Sequence, residues 1–306
     1  MTKANRQTIS YLRRRFGQVG LEPNARHGQN FLIDLNLIEI LAEAADIGPQ
    51  DVVLEIGTGM GSLTALLAEK AGKVVTVEID QHLHQLAREE LEQYDNVVMI
   101  KQDALKNKNH FAQPVLDTVR AALESVPSAQ FKLAANLPYN IATPIISNLL
   151  ICELPPPISM TVTIQKELAD RIMAAPNSKD YGALSVWIQS MCRVELVRIL
   201  PPTVFWPRPK VHSAIIKIIL EPERRAAIPD LEFFHQFARS IFFHRRKFLR
   251  SVAISAFKER LSKPEVDAVL QAQGLGPEAR SEQLSVDQFL ELSERFRAVA
   301  GSMPEP

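Results

Sequence analysis

Short apolar runs alternate with segments of helical composition over the first two thirds of the chain. The runs read VVLEI (52–56), KVVTVEI (73–79), NVVMI (96–100), FKLAA (131–135) and MTVTIQ (160–165). Near-continuous apolar strands separated by helices predict an α/β fold whose parallel sheet is covered on both faces. Two later runs, at 193–200 and 213–220, follow one another without a long helix between them, and we expect an antiparallel pair at one edge of the sheet.

Helical patterns flank this alternating region. Asp34 is expected to cap a helix whose apolar face holds Leu37, Ile38, Leu41 and Ala45. After residue 222 only helical patterns remain, whereas residues 1–30 are polar and basic and are expected to form a mobile arm or loop. We therefore divide the chain into a basic N-terminal arm (1–30), a sheet-containing domain (31–222) and a helical C-terminal domain (223–306).

Composition and charge narrow the class of protein. Of the 306 residues, 46% are hydrophobic and 23% charged, as in an ordinary globular protein. The 35 basic and 35 acidic residues cancel, which disfavours a nucleic-acid binder, although basic residues cluster locally, as in FFHRRKFLR (242–250). Two cysteines without a CxxC pair argue against a disulfide framework or a zinc ribbon and favour a reducing compartment.

We expect a cytoplasmic protein with no membrane segment and no metal. The N-terminal stretch lacks the apolar region of a signal peptide, and no apolar run approaches the ~20 residues that span a bilayer. The histidines show no metal-ligand spacing with cysteines or acids.

VLEIGTGMGSLT places Gly57, Gly59 and Gly61 between the first strand and a helix. Glycines at such a turn let the backbone approach a ligand, and the helix N-terminus offers unpaired N–H groups. The dinucleotide fingerprint requires glycine at position 62, where this chain has Ser62. GxGxG preceded by Glu55 is the arrangement of S-adenosylmethionine-binding folds. A tight strand-to-helix turn is the alternative.

Polar side chains end the next strands of the predicted sheet. Glu78 ends the second strand, Asp103 follows the third, and Asn136 ends the fourth. Each acid could singly be a helix cap or a surface charge. Because open α/β sheets bind ligands at the carboxyl ends of their strands, the set predicts a ligand site there.

The sequence Asn136-Leu137-Pro138-Tyr139 combines an amide, a proline and an aromatic ring at a strand end. A turn explains the first and third residues but not the tyrosine. The exocyclic amine of a nucleobase is a poor nucleophile, and two acceptors on its protons, the Asn136 side-chain oxygen and the Leu137 carbonyl, would aim its lone pair. Pro138 would fix that carbonyl, and Tyr139 would stack on an extruded base. The motif predicts amine methylation, in which catalysis is mostly positioning.

These motifs together resemble the ribosomal small-subunit RNA adenine dimethyltransferase family over nearly the whole chain. Further matching segments are RHGQNFLID (26–34), QKELADRI, FWPRPKVHSAII (205–216) and FFHRRKFLR (242–250). The resemblance implies a Rossmann-like class I S-adenosylmethionine-dependent methyltransferase domain with a small C-terminal all-α domain. It also implies N6,N6-dimethylation of two adjacent adenines in the 3′-terminal hairpin of small-subunit rRNA, within an assembling 30S-type particle.

The resemblance also implies roles for individual residues. The cofactor-binding set is Asn30, Leu32, Gly57, Gly59, Glu78, Asp103 and Asn136, in which Glu78 would hold the ribose and Asp103 would meet the adenine of S-adenosylmethionine. The catalytic set is Asn136, Leu137, Pro138 and Tyr139, with Phe205 sandwiching the target base opposite Tyr139. From the residues alone, Phe205 would be a core residue. Thr58 departs from the proline usual in the family, and we expect a slightly looser loop.

We expect RNA phosphates to be bound by Arg245, Arg246, Lys247 and Arg250. A solvated basic face is the alternative for this run. Two other functions remain open at this point. One is a related methylase of large-subunit RNA that confers macrolide resistance, and the other is a non-enzymatic RNA-binding or transcription-factor descendant of the fold.

Overall fold

The computed structural model describes residues 9–20, 23, 29–244, 247–301 and 303, and the structural statements below concern that part of the chain. The chain forms two compact units. The sheet unit is Met1–Ala169 with Glu195–Leu220, and the helical unit is Asp170–Val194 with Glu221–Pro306. These units place residues 170–194 with the C-terminal helices, whereas the three-part division made from the sequence placed them with the sheet.

Strands and helices alternate through most of the sheet unit. The strands are β1 (Phe31–Leu32), β2 (Asp51–Ile56), β3 (Lys73–Glu78), β4 (Val97–Lys101), β5 (Leu105–Asn107), β6 (His110–Phe111), β7 (Gln130–Asn136), β8 (Ser159–Gln165), β9 (Cys192–Leu200), β10 (Phe205–Trp206) and β11 (Ser213–Leu220). The helices are α1 (Ile9–Val19), α2 (Leu35–Ala44), α3 (Ser62–Ala68), α4 (Gln81–Leu91), α5 (Gln113–Ser125), α6 (Ala142–Leu149), α7 (Lys166–Ile172), α8 (Ala183–Gln189), α9 (Pro222–Ala226), α10 (Leu231–Phe242), α11 (Leu249–Ala256), α12 (Lys263–Ala272) and α13 (Val286–Ala300). Short 3₁₀ turns lie at Pro202–Val204 and Ser281–Gln283.

A seven-stranded sheet has the order β4-β3-β2-β7-β8-β11-β9. The strands β4, β3, β2, β7 and β8 run parallel, and they coincide with the five apolar runs of the sequence. β11 runs antiparallel to β8, and β9 lies beside it at the edge, so the two late runs are neighbours as predicted. All six residues of β2 are buried, because helices cover both faces of a parallel sheet.

The helix α2 begins as the sequence predicts. The Asp34 side chain accepts a hydrogen bond from the Asn36 backbone at 3.0 Å, which satisfies one of the unpaired N–H groups of the first turn. Leu37, Ile38 and Leu41 then pack into the core against the sheet. The cap and the apolar spacing therefore fix the position of this helix from local sequence.

A helix, not a loop, occupies much of the basic N-terminal arm. Leu12 and Phe16 of α1 lie four residues apart on one helix face, and both are buried against Met60, Leu83 and Leu86. The expectation of a mobile arm is therefore wrong for α1, because an apolar face of only two residues is easily overlooked among basic side chains. The rest of the arm, residues 1–8, 21–22 and 24–28, lies outside the described residues.

The helical unit has an aromatic core. Phe237 of α10 is fully buried, and its ring centroid lies 5.3 Å from that of Phe289 and 5.6 Å from that of Phe296. Phe257 stacks on Phe296 at 4.7 Å with an interplanar angle of 9°. None of the helices in the described residues is long and apolar enough to cross a membrane.

Candidate active site

A cavity of about 410 Å³ opens at the carboxyl ends of the parallel strands. This volume lies in the range of roughly 300–1,000 Å³ that is usual for small-molecule sites. The structure brings all residues of the expected cofactor set to its wall, namely Asn30, Leu32, Gly57, Gly59, Glu78, Asp103 and Asn136. Glu55 and Gln102, to which the sequence gave no binding role, line it as well.

The glycine loop after β2 needs its glycines for two different reasons. Gly57 and Gly59 have φ angles of 88° and 56°, in the left-handed region that disfavours a side chain. A Cβ atom on Gly57 would also lie 3.4 Å from Pro138 Cδ, so the loop and the NLPY segment pack closely. The Gly57 N–H donates to the Val77 carbonyl at 2.8 Å, which ties the loop to β3.

Glu78 ends β3 with a carboxylate that is 5% exposed. It accepts hydrogen bonds from the backbone N–H groups of Gly59 and Asp80 at 2.9 and 3.0 Å. Burial raises the pKa of this carboxyl, and those backbone hydrogen bonds oppose the shift. No lysine or arginine of the described residues pairs with it. A buried acid without a cation suits neutral hydroxyl donors, and the hydroxyls of a ribose are such donors.

Two further polar groups on the wall suit a nucleoside. Gln102 lines the cavity, and its buried Nε2 has no acceptor among the described residues. Asp103 is exposed at the cavity mouth, and its Oδ1 accepts the Leu105 N–H at 2.9 Å. That bond holds the carboxylate in a turn, from which it can accept an exocyclic amine. Together with Glu78, these groups fit S-adenosylmethionine.

Thr58 anchors the glycine loop through a chain of buried hydroxyls. The Glu55 Oε2 atom accepts from Thr64 Oγ1 at 2.5 Å and from Thr76 Oγ1 at 2.6 Å. Since Thr76 gives its only hydroxyl proton to Glu55, the 2.6 Å contact between Thr58 Oγ1 and Thr76 Oγ1 has Thr58 as donor. A proline could not make this bond. The loop is therefore anchored at Thr58 by a hydrogen bond that the sequence did not predict, and its looseness relative to a proline loop stays a prediction.

Glu55 is 1% exposed beneath the loop, and burial raises its pKa to about 8. The hydrogen bonds from Thr64 and Thr76 lower this pKa, whereas the neighbouring charge of Glu78 raises it further. Near neutral pH the Glu55 carboxyl therefore holds its proton in the folded chain. The acid before the glycines thus supports the loop as a neutral hydrogen-bonding group.

The amide of Asn136 is oriented by a residue 106 positions earlier in the chain. Asn136 Nδ2 donates to the Asn30 carbonyl oxygen at 3.1 Å. A carbonyl can only accept, so this contact assigns the NH₂ end of the amide to Asn30 and leaves Oδ1 as the acceptor for another group. The role that the sequence suggested for Asn136 requires such an acceptor.

The remainder of the NLPY segment is fixed by backbone contacts. The Leu137 N–H donates to the Thr163 carbonyl of β8 at 3.1 Å, and the Pro138 carbonyl accepts from Ile141 at 3.1 Å. The Tyr139 hydroxyl shares a 2.6 Å hydrogen bond with Ser213 Oγ of β11. Burial raises the pKa of Tyr139, so its hydroxyl stays protonated at neutral pH. Tyr139 is half-buried and does not line the cavity.

Phe205 lies in the core of the sheet unit. It is 2% exposed, belongs to the same buried cluster as Leu32, and is the Cα partner of Leu32 in the β1–β10 pair. The ring has no exposed face in this structure and does not line the cavity. Its expected role in sandwiching a base against Tyr139 stays a prediction.

The four expected RNA-binding residues have different surroundings. Arg245 and Arg246 lie outside the described residues, and Lys247 is exposed. Arg250 makes a two-point ion pair with Asp267, with Nε–Oδ1 and Nη2–Oδ2 distances of 2.5 and 2.8 Å. The charge of Arg250 is thus already paired within the helical unit. Asp267 lies 17 positions further along the chain, so the basic run alone gave no sign of this ion pair. Among the described residues, no three His, Cys, Asp or Glu side chains form a group that could hold a metal ion.

The chain resembles proteins of known activity over most of its length. The family model for "Ribosomal RNA adenine dimethylase" matches residues 20–298. The chain is 40% identical over 274 residues to the ribosomal RNA small subunit methyltransferase A of Caldanaerobacter subterraneus subsp. tengcongensis. The aligned region covers 89% of this chain and 97% of that protein. It is 39% identical over 271 residues to the protein of the same name from Alkaliphilus metalliredigens, covering 89% and 91%.

Two solved structures share the architecture over most of both chains. A dimethyladenosine transferase from Plasmodium falciparum superposes with a TM-score of 0.71 and 25% identity, over 88% of this chain and 98% of that one. The 23S rRNA methyltransferase ErmE superposes with a TM-score of 0.60 and 28% identity, over 87% and 99%.

Proposed function

The chain belongs to the ribosomal RNA adenine dimethylase family, and from that premise we propose that it dimethylates N6 of two adjacent adenines in the 3′-terminal hairpin of small-subunit rRNA. It is an S-adenosylmethionine-dependent rRNA adenine dimethyltransferase with a Rossmann-like fold and a helical C-terminal region. The observation that carries the proposed chemistry is the Asn136 amide, which is held by Asn30 on the wall of the cavity that the glycine loop also lines.

The choice of small-subunit rRNA rests on the relatives. Curated proteins 38–40% identical over 87–89% of this chain bear the name ribosomal RNA small subunit methyltransferase A. The solved 23S rRNA methyltransferase shares 28% identity. The higher identity favours the small-subunit substrate, and no position of the expected cofactor set is missing, which favours an active enzyme over a non-enzymatic descendant.

The cavity wall would hold the methyl donor through the groups already described. S-adenosylmethionine, which the family implies, supplies a methyl group on a positively charged sulfur. Glu78 would accept hydrogen bonds from its ribose hydroxyls, and Asp103 would accept from its adenine amine. The backbone of Gly57 and Gly59 would lie against it without side-chain interference. These contacts would hold the donor at the edge of the sheet beside Asn136.

Asn136 and Leu137 would prepare the acceptor amine. The Asn136 Oδ1 and the Leu137 carbonyl would each accept a hydrogen bond from one N–H of the amine. These two hydrogen bonds would draw the nitrogen toward tetrahedral geometry and point its lone pair at the methyl group. Pro138 limits the backbone rotation next to that carbonyl. No strong base is required, because an alkylated amine is acidic and loses its proton to water. After the first transfer one N–H remains, and one of the two acceptors can still orient the amine for the second.

Tyr139 would supply a stacking face for the target base. Its hydroxyl is fixed to Ser213 at 2.6 Å, so the ring is held in place from the β11 side. Stacking on an aromatic side chain contributes about 1–3 kcal/mol per base. We place the reaction in the cytoplasm, on an assembling 30S-type particle, and give the enzyme a role in small-subunit maturation.

Methylation of undermethylated small subunits tests this function. Purified chain and methyl-labelled S-adenosylmethionine are incubated with small subunits and, separately, with large subunits. We expect N6,N6-dimethyladenosine in the nucleosides of small-subunit rRNA, and primer extension should stop at two adjacent adenines near its 3′ end. Label confined to large-subunit RNA would support the macrolide-resistance type of activity instead. Absence of S-adenosylmethionine binding by calorimetry would leave only the non-enzymatic alternative.

A further inference from the structure

The helical unit has a cavity of its own, of about 340 Å³. All of its lining residues belong to the helical unit. It is formed by the end of α7, the segment before α8, the first turn of α8 and the C-terminal end of α10 with the residue that follows it. The side chains that matter below are Arg171, Tyr181, Arg239, Phe242 and Phe243. Its volume is close to the lower end of the range of roughly 300–1,000 Å³ for small-ligand sites.

The floor of this cavity is fixed by buried contacts. Tyr181 is fully buried, its hydroxyl donates to the Leu284 carbonyl at 2.9 Å, and its ring meets Phe242 edge-on at 6.0 Å. Phe242 stacks in turn on Phe289 at 5.4 Å. The Ser185 hydroxyl donates to the Arg171 carbonyl at 2.5 Å, so the backbone that carries this arginine is fixed as well. The cavity is therefore a preformed feature of the unit.

Two arginines at this cavity carry unused charge. Arg171 and Arg239 are exposed and form no ion pair with a described residue. Arg250, Arg295 and Arg297 of the same unit are all paired with acids at 2.5–2.7 Å. Asp180 is the one acid on the lining, so the cavity has a net positive charge. Unpaired guanidinium groups are suited to bind phosphate.

An exposed aromatic ring adjoins these arginines. Phe243 is 78% exposed, the highest value among the large apolar side chains of the described residues. Phe248, also in the helical unit, is 42% exposed, but the Arg280 guanidinium covers its ring at 5.0 Å. Phe243 contacts the edge of the His244 ring at 4.8 Å and otherwise presents its ring to solvent. An uncovered aromatic ring beside two cations is the combination that binds single-stranded nucleic acid.

We propose that this cavity binds an unpaired nucleotide of the RNA substrate, with its base stacked on Phe243 and its flanking phosphates on Arg171 and Arg239. The inference rests on the proposed function, since it takes RNA as the ligand. The cavity is separate from the cofactor site, so it contributes to substrate affinity and not to the chemistry. One exposed aromatic ring in a cavity that it shares with two cations offers too little apolar area for a protein interface and suits RNA better.

RNA binding by single variants tests the inference. The probe is a fluorescent RNA with the 3′-terminal hairpin sequence of small-subunit rRNA and its single-stranded flank, and the readout is anisotropy of the full-length chain. Phe243→Ala should weaken binding by about 5- to 100-fold, the effect of one lost stacking contact, and Phe243→Trp should restore it. Arg171→Gln and Arg239→Gln should each reduce the slope of log affinity against log salt by about 0.7.

Two variants serve as matched controls. Phe248→Ala removes an aromatic ring already covered by Arg280, and Arg295→Gln removes a charge already paired with Glu291 at 2.7 Å. Neither should change RNA affinity by more than about twofold. S-adenosylmethionine affinity by calorimetry should be the same in all variants, because none of these residues lines the cofactor cavity.

Two results would overturn the inference while leaving the enzyme's function intact. One is wild-type RNA affinity in Phe243→Ala together with unchanged salt slopes in both arginine variants. The other is weaker binding of the variants to assembled particles with unchanged binding to free RNA, which would assign this surface to a ribosomal protein. Failure of the proposed function has a different signature, because the wild-type chain would then give no dimethyladenosine on small subunits.

Discussion

The two units of the molecule bury different kinds of side chain. The sheet unit buries polar groups at the carboxyl ends of its strands, among them Glu55, Glu78 and Thr76. The helical unit buries serines but no charged side chain of the described residues, and phenylalanines pack at its centre. Buried polar groups reduce stability unless each is hydrogen-bonded. The contrast indicates that the sheet unit is organised around a ligand and the helical unit around its own packing.

Removing a core ring from the helical unit should have the largest effect. Phe237→Ala is expected to lower the free energy of unfolding of that unit by about 3–5 kcal/mol, because Phe237 contacts four other buried rings. Chemical denaturation measures the loss. Phe243→Ala, near the end of the same helix, is the control and should change stability by less than about 0.5 kcal/mol. Equal losses in both variants would contradict an aromatic core centred on Phe237.

Asn136→Ala should instead remove activity and leave stability nearly unchanged. The amide positions the acceptor amine, so we expect kcat for dimethyladenosine formation to fall by about 10²–10³-fold, as for loss of one aligned catalytic hydrogen bond. S-adenosylmethionine affinity, measured by calorimetry, should fall much less than kcat, because the other six residues of the expected cofactor set remain on the cavity wall. Asn148→Ala is the matched control, because Asn148 Nδ2 also donates to a backbone carbonyl, that of Lys108 at 3.2 Å, outside the cavity. Normal product yield in Asn136→Ala would sink the mechanism.

The buried acid of the sheet unit predicts a pH dependence of stability. Glu55 has a folded pKa of about 8 against an ordinary value of 4.5. Between these values the folded chain keeps a proton that the unfolded chain has lost, so stability should fall as pH rises through this window, by up to about 1.4 kcal/mol per pH unit. Glu55→Gln should make the profile shallower, and the part that remains is expected from Glu78, whose pKa burial also raises. Denaturant midpoints of both chains from pH 5 to 8 test this, and parallel profiles would argue against the buried proton.

The helical unit should respond to pH in the opposite direction. Burial lowers the pKa of His235 to about 4, and the charge of Arg239 lowers it further. Its ring lies 4.5 Å from Trp187. Between pH 6.5 and about 4 the unfolded chain binds a proton that the folded chain does not, so stability should be lost as pH falls through that window. Hydrogen exchange at acidic and alkaline pH, read separately for each unit, would separate the two effects.

The smallest expected effect concerns the hydroxyl that anchors the glycine loop. Thr58→Val removes the bond to Thr76 and should weaken S-adenosylmethionine binding about 5-fold, the equivalent of about 1 kcal/mol for one hydrogen bond. Thr161→Val is the control, because Thr161 Oγ1 is buried without a hydrogen-bond partner among the described residues. Thr161→Val should leave S-adenosylmethionine affinity unchanged, and it should leave the free energy of unfolding unchanged or raise it. Unchanged affinity in Thr58→Val would show that the loop needs no anchor.

Local sequence was sufficient to predict the sheet and the edge that carries the site. Apolar runs identify the strands because a parallel strand covered on both faces is mostly apolar, and in β2 four of the six residues are apolar and all six are buried. The cap at Asp34 and the left-handed glycines are likewise local properties. Since parallel strands end at the same edge, the sequence alone predicts that the polar residues at the ends of β3 and β7 and after β4 lie together.

Contacts between distant positions could not be predicted in this way. The bond from Asn136 to Asn30 joins residues 106 positions apart, and the ion pair of Lys132 with Asp51 joins residues 81 positions apart. Arg250 was assigned to RNA because its partner, Asp267, lies outside the basic run. Phe205 shows the same limit, since burial of a ring depends on the strand paired with it. The sequence identifies candidate polar, charged and aromatic side chains, and only the fold shows which of them already have a partner or are buried.

The order of strands in the sheet bears on how the chain is made. β9 is synthesised before β11, yet β11 lies between β8 and β9, so β9 has no neighbour in the sheet until the chain has been extended to Leu220. In the finished sheet Leu196 and Ile199 of β9 are still 48% and 46% exposed. A growing chain that pauses after Leu200 presents this strand without its partner. Until residues 213–220 are available to form β11, β9 is therefore an unpaired strand that is open to wrong pairing.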